Sequence, residues 1–279
     1  MLSVNLTTTS ERLDLCSATI WSLLNQKRVP DKIYLWISKN PYLADKGIKS
    51  LPSSIVKLQK LSTIFEIKFV DNIGPYRKII PALKSAAQED VIVYADDDVI
   101  YGDKWLYNLE KLFLDYDMKY VVASRIRVIS KNIFGIKKSY NRYPLHFGNE
   151  TLNSNFIITG VGGCILMKKH ISEKLIHDDS FLHIAPKADD LWVSKIIEIS
   201  GSKVKSCVDA FEQVQEINHS INCLSHANTL YFKGKSFSSK LYYRVVNFAL
   251  GYLGIAQSAN DKTLKRVSLY FENHNDIKF

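Results

Sequence analysis

The sequence predicts an α/β domain built on a mostly parallel mixed sheet, with a helical extension at its C-terminal end. Three observations carry that expectation. Short apolar runs alternate with helical patterns from Ser3 to about Val208, the arrangement that yields a parallel sheet covered by helices. One of these runs, "VIVYA" from Val91, passes straight into three aspartates, Asp96, Asp97 and Asp98. The chain has 279 residues and is 46% hydrophobic, enough for one large core.

"SVNL" reads as the first strand. The hydroxyls of "TTTSER" follow as candidate caps, and Cys16, Ile20, Leu23 and Leu24 then recur at helical spacing to about Gln26. Lys32 to Ser38 and Phe65 to Val70 are the next strands, and "RKIIPALKSAAQ" from Arg77 has a helical pattern despite Pro81. "VIVYA" is the fourth strand. A helix from Asp103 to about Tyr116 leads into "YVVAS", and "FIITGVGGCILM" and "KVKSCV" complete the strands, with a helix starting near Asp189 between them. Arg125 to Asn155 is basic and lacks periodicity, which predicts a long loop of the kind that often carries function. The division expected is a catalytic domain over 1–222 and a helical extension over 223–279.

The formal charge of +9 favours anionic partners: nucleotides, diphosphates, nucleic acid or an acidic membrane face. Cys16, Cys164, Cys207 and Cys223 are scattered, with no zinc-finger spacing, which fits a reducing cytoplasm. The N-terminal residues lack the pattern of a secretory signal. Leu241 to Ala256 is apolar but is interrupted by Arg244 and falls short of the roughly 20 residues of a membrane span. It is still able to lie on a bilayer surface.

Side chains alternate along a strand, so Asp96 and Asp98 are expected on one side and Asp97 on the other. Carboxylates gathered at a sheet end repel one another and resist desolvation, so a cation or strong donors must compensate them. Hard oxygen ligands without nearby thiolates favour Mg²⁺ or Mn²⁺. Ligands of open α/β sheets bind beyond the carboxyl ends of strands, where these residues fall. An acidic turn without a ligand is the plain alternative.

The ordered pieces "NLTTTSERL", "SLLNQKRVPDKIYLWIS", "FVDNIGPYRKIIPAL", "YADDDVIY", "TGVGGCILM" and "APKADDLW" resemble the GT-A, Rossmann-like nucleotide-sugar glycosyltransferases. The likeness is to the family 2-like bacterial enzymes of surface-polysaccharide synthesis and covers residues 3 to 210. It implies that Asp96 and Asp98, with Asp97 beside them, bind a divalent metal and the donor's ribose and diphosphate. It places Thr7, Thr8 and Arg12 at the edge of the nucleotide pocket, Asp71 near the base, and Lys78 near uridine or phosphate. Ordinary roles compete: helix capping for Thr8, Thr9 or Ser10, a turn with Asn72 and Gly74 for Asp71, and a solvated helix position for Lys78.

By the same resemblance "ADDLW" supplies the catalytic base of an inverting transfer, Asp190 ahead of Asp189. Capping of the following helix is the competing role. Gly162 and Gly163 allow backbone to approach an acceptor sugar or form a bulge, and Trp192 either stacks on that sugar or is buried. His226 or His219 would complete the metal shell, and "SANDKTL" near Asn260 matches a terminal element of some relatives or caps a helix. No Q-x-x-R-W signature follows the acidic motif, which excludes a processive synthase.

The resemblance implies a UDP-sugar donor, a lipid-linked saccharide acceptor in capsule or lipopolysaccharide synthesis, and a cytoplasmic enzyme with peripheral membrane contact through its aromatic, basic C-terminal segment. A lid over the core is the other role for that segment. A nucleotidyltransferase would carry a glycine-rich loop after the first strand, and "NLTTTSERL" has no glycine. A two-metal phosphohydrolase would cleave without an acceptor. A basic nucleic-acid-binding protein accounts for the charge but not for the acidic cluster, and no RNP, KH or zinc-finger signature is present.

Overall fold

The computed structural model describes residues 1–219 and 237–273. In chain order the strands are β1 (Leu2–Thr7), β2 (Lys32–Ile37), β3 (Phe65–Phe69), β4 (Val91–Tyr94), β5 (Val99–Tyr101), β6 (Val121–Ala123), β7 (Ile126–Val128), β8 (Phe156–Ile158), β9 (Cys164–Met167), β10 (Val204–Ser206) and β11 (Val214–Glu216). The helices are α1 (Leu13–Leu24), α2 (Ser53–Leu61), α3 (Ile80–Ser85), α4 (Trp105–Asp115), α5 (Glu173–Ile176), α6 (Phe181–Ile184), α7 (Asp189–Ile199), α8 (Val208–Phe211), α9 (Phe237–Tyr252) and α10 (Ala259–Asn273).

The central sheet has seven strands in the order β10-β6-β9-β4-β1-β2-β3. All neighbours run parallel except β9, which lies antiparallel between β4 and β6. Two short antiparallel pairs, β5 with β11 and β7 with β8, stand apart from it. The α/β, GT-A-like architecture expected from the sequence is the one observed.

Alternation along the strands divides the core in two. Val93 and Ile165 face one cluster, with Cys16, Ile20 and Leu23 of α1 and Leu106, Leu109 and Phe113 of α4. Ile92, Tyr94 and Leu166 face the other, with Trp192, Ile196 and Ile197 of α7. Val267 and Phe271 of α10 are buried in that second cluster, so the C-terminal helix packs on the sheet's own core. No helix among the described residues is long and apolar enough to cross a membrane.

Several local expectations are corrected. The helical pattern from Arg77 divides into a 3₁₀ turn over Gly74–Lys78 and α3, with Pro81 in the first turn of α3, where proline's missing N–H costs nothing. "FIITGVGGCILM" is two strands separated by a 3₁₀ turn at Gly160–Gly162, and they belong to different sheets. Arg125 to Asn155 is not a structureless loop: it contains β7, a Lys131–Lys137 bridge and a 3₁₀ turn at Tyr140–Arg142. Helix α1 begins without a side-chain cap, so the hydroxyls of Thr8, Thr9 and Ser10 do not serve that role.

Candidate active site

Strands β1 and β4 pair in parallel, so their C-terminal ends open on the same edge of the sheet. There the backbone leaves β4 at Tyr94, bends through the three aspartates and resumes as β5. Asp97 turns inward and is buried. It accepts hydrogen bonds from Thr8 Oγ1 at 2.5 Å and from Arg12 Nη2 at 2.5 Å, while Thr19 Oγ1 donates to its carbonyl at 2.9 Å. Asp97 thereby ties the loop after β1 and helix α1 to the corner. Burial pushes its carboxyl up to about 6 against the pull of Arg12.

Asp96 and Asp98 line the cleft with different partners. Asp98 meets Arg12 Nη2 at 2.8 Å and His219 Nε2 at 3.0 Å. Asp96 meets Lys78 Nζ at 2.5 Å, and the same ammonium lies 2.8 Å from Asp189 Oδ2 at the start of α7. Burial alone would lower the Lys78 ammonium, but Asp189, Asp96 and Asp190 together hold it well above its ordinary value. Lys78 is therefore a buried cation bridging two acidic motifs, not a solvated helix residue.

Asp190 does not cap α7. Its Oδ1 accepts the Gly160 N–H at 3.0 Å, and helix α7 has no side-chain cap. Burial, reinforced by the charge of Asp189, pushes the Asp190 carboxyl up to about 8. A group with that affinity holds or releases a proton near neutral pH, while Asp189 stays committed to Lys78.

A second buried pair, absent from the sequence reading, braces this corner. Arg77 Nη2 meets Asp45 Oδ2 at 3.0 Å and donates to the Thr8 carbonyl at 2.9 Å, while Asp45 Oδ1 accepts the Ser10 N–H at 3.0 Å. The charges thus lock the loop after β1 onto the loop after β2. Arg77 had a weak signal as the neighbour of Lys78 in "GPYRK"; Asp45 had none.

These groups surround a single cleft of about 1100 Å³, also lined by Thr7, Tyr140, Lys187 and Asn260. Arg125 and Arg127 add positive charge to its wall. Thr7 donates from Oγ1 to the Trp36 carbonyl at 2.7 Å, fixing the end of β1 to β2.

Other predicted residues lie elsewhere. Asp71 is exposed in the turn after β3 and is not among the residues lining the cleft. Trp192 is fully buried against Phe271 and Tyr270 and offers no face to a sugar. Gly162 and Gly163 answer to packing: a Cβ at Gly162 would lie 2.4 Å from Ser124 Oγ, and Gly163, at φ +81°, abuts the Trp105 ring. The glycine that meets the site is Gly160, where a Cβ would lie 2.5 Å from both Asp96 Oδ1 and Lys78 Nζ. His226 falls outside the described residues.

The donor set suits a divalent cation only in part. Among the described residues no three His, Cys, Asp or Glu side chains converge at metal-ligand spacing. Asp98 and His219 do converge, and His219 Nδ1 is buried without a hydrogen-bond partner among the described residues. Two protein ligands completed by phosphate oxygens and water is an ordinary arrangement for Mg²⁺, so these residues fit an ion that arrives with a diphosphate.

Residues 57–176 match the sequence model of Glycosyl transferase family 2. That span includes Lys78 and the three aspartates, so the part of the chain that carries this corner is similar to family 2 glycosyltransferases. Among solved structures, the crystal structure of S. aureus TarS residues 1–349 is similar over 75% of this chain and 58% of that one, at 16% identity and a TM-score of 0.45. The chain therefore spans 58% of the length of that structure's chain. No curated protein matches it.

Proposed function

We propose that the protein transfers a sugar from a nucleotide sugar, a UDP-sugar, to a hydroxyl of a lipid-linked saccharide in capsule or lipopolysaccharide synthesis, with inversion. The observation that carries this reading is the meeting of two acidic motifs, Asp96–Asp98 and Asp189–Asp190, through Lys78 at one cleft. Arg12 and Lys78 offer positive charge where a diphosphate would lie. Asp98 and His219, with Asp96 adjoining, would hold Mn²⁺ or Mg²⁺, which when bound neutralises charge on the donor's diphosphate.

In the transfer, Asp190 takes the proton from the acceptor hydroxyl as its oxygen bonds to the anomeric carbon. The bond from that carbon to the diphosphate oxygen breaks, and the nucleoside diphosphate leaves with the bonding pair. An elevated affinity of Asp190 for protons supports this role, since a base works best when its pKa lies near the working pH. The enzyme would act at the cytoplasmic face of the inner membrane, with residues 1–222 as its catalytic domain and 223–279 as its extension.

A panel of nucleotide sugars, assayed for turnover with Mn²⁺ and with chelator, tests the reading. We expect UDP-sugar turnover that requires the metal and is lost in Asp98→Ala and reduced about 10–100-fold in His219→Ala, without loss of fold. Undiminished turnover in chelator would remove the metal from the proposal. Turnover of no donor would remove the reaction.

A further inference from the structure

The segment that walls the cleft at Arg127 and Tyr140 continues outward as a hairpin closed by the Lys131–Lys137 bridge. Its tip, Ile133-Phe134-Gly135-Ile136, faces solvent: Ile133 is 81% exposed and Phe134 69%. Helix α9 lies beside it. Asn132 Nδ2 donates to the Tyr252 carbonyl at 3.0 Å, the Ser139 N–H to the Gly251 carbonyl at 2.9 Å, and Arg142 lies over the Phe248 ring at 4.5 Å. Val245, Phe248, Leu253 and Ile255 are exposed in and just beyond this helix. Monomeric proteins rarely leave so many large apolar side chains in one area without using them.

Within the two segments that carry these side chains the charged residues have one sign, although Asp261 binds Ser139 and Tyr140 from the start of α10 and Glu216 pairs with Arg125 at the cleft. Residues 125–142 contain Arg125, Arg127, Lys131, Lys137, Lys138 and Arg142 and no Asp or Glu, and residues 237–256 contain Lys240 and Arg244 and again no acid. Apolar side chains bordered by lysine and arginine suit an anionic bilayer, which takes the apolar groups into its interface and attracts the cations to its headgroups.

We propose that the 131–137 hairpin and the α9 face form one docking surface for an anionic lipid bilayer. The surface holds the protein so that the cleft, which shares the 125–142 segment, opens beside the membrane. Its use in catalysis rests on the lipid-linked acceptor proposed above; its binding to lipid does not.

The test is flotation of the full chain with vesicles of phosphatidylcholine alone or mixed with phosphatidylglycerol. Wild type should float with the anionic vesicles and be released by salt. The variant Ile133→Ser/Phe134→Ser/Ile136→Ser, through lost apolar insertion, and the variant Lys131→Glu/Lys137→Glu, through lost attraction to anionic headgroups, should each lose about tenfold or more in binding. Both should retain wild-type melting curves and wild-type donor hydrolysis in solution. Failure of wild type to float at low salt would overturn the proposal, as would variants that float equally well. A wild-type dimer that the serine variant splits would instead assign this face to a second copy of the chain. Because flotation needs no turnover, a protein that binds vesicles but uses no nucleotide sugar would refute the reaction and leave the surface standing.

Discussion

Two regions border the cleft and are held by opposite means. At the Asp96–Asp98 corner nearly every tie is a buried charge contact: Asp97 with Arg12, Asp96 with Lys78, Asp45 with Arg77. Along the 125–142 segment the ties are mostly hydrogen bonds outside any ion pair, some to backbone carbonyls and two to a single carboxylate. Asp261 accepts the Tyr140 N–H at 2.6 Å and the Ser139 hydroxyl at 2.7 Å. Buried ions are costly to uncover and so resist opening, whereas exposed hydrogen-bonded segments open at small cost. On the function proposed above, the comparison assigns the charge-held corner to the donor and the 125–142 wall to the acceptor.

The largest effect should come from Asp190→Asn. Transfer should fall about 10³-fold, within the range of a lost general base, while donor binding persists. The same substitution should stabilise the fold. The folded-state pKa of Asp190 is raised to about 8, so the folded protein keeps a proton that the unfolded chain releases, and stability falls as pH rises from the ordinary carboxylate range towards 8. Removing that group should therefore raise stability at pH 7, read as a higher urea midpoint than wild type. Wild-type turnover should rise with pH across the same window. A flat pH–rate profile, or a variant that melts below wild type at pH 7, would return the base to Asp189.

Next is the brace at Asp45. Asp45→Ala leaves Arg77 charged and buried without its partner, which should cost about 3 kcal/mol in urea unfolding. Replacing both, Arg77→Met with Asp45→Leu, should recover most of that loss, since an apolar pair removes the stranded charge. If the single and double variants unfold alike, the corner is not held by this pair.

The corner was also the more legible region. Strands β1 to β4 show in the sequence because apolar runs and polar turns alternate, and Asp96 and Asp98 show because carboxylates ending a buried strand demand compensation. Their compensation did not show. The resemblance sets Lys78 near uridine or phosphate, and only the folded chain shows that it also bridges Asp96 and Asp189. Asp45 and Arg77 are 32 residues apart with no pattern to join them. Helix α2 escaped notice because only Ile55 and Leu58 of its residues are buried. The 131–137 hairpin escaped because Ile133, Phe134 and Ile136 face outward, so no alternation between core and solvent marks it. Of the two roles left open for Trp192 burial is the one observed, and helical position alone does not say that Tyr270 and Phe271 will cover it.

The smallest effect belongs to the acceptor-side tether. Ser258 and Asp261 cap α10 reciprocally: the Ser258 N–H donates to Asp261 Oδ2 at 2.9 Å, and the Asp261 N–H donates to Ser258 Oγ at 3.2 Å. The same carboxylate holds the segment at Ser139 and Tyr140, so "SAND" is both a helix cap and the anchor of the cleft wall. Asp261→Ala should cost about 1–2 kcal/mol, the scale of a lost cap. Hydrogen exchange should quicken at Ser139 and Tyr140 while Ser10, whose N–H is held by Asp45, remains protected. Donor hydrolysis should be unchanged and the acceptor KM raised, because the loosened wall lies beside Arg127 and Asn260 rather than at Lys78. Equal loss of protection at both regions would show that the two walls open together, and the division between a fixed donor side and an adjustable acceptor side would fail.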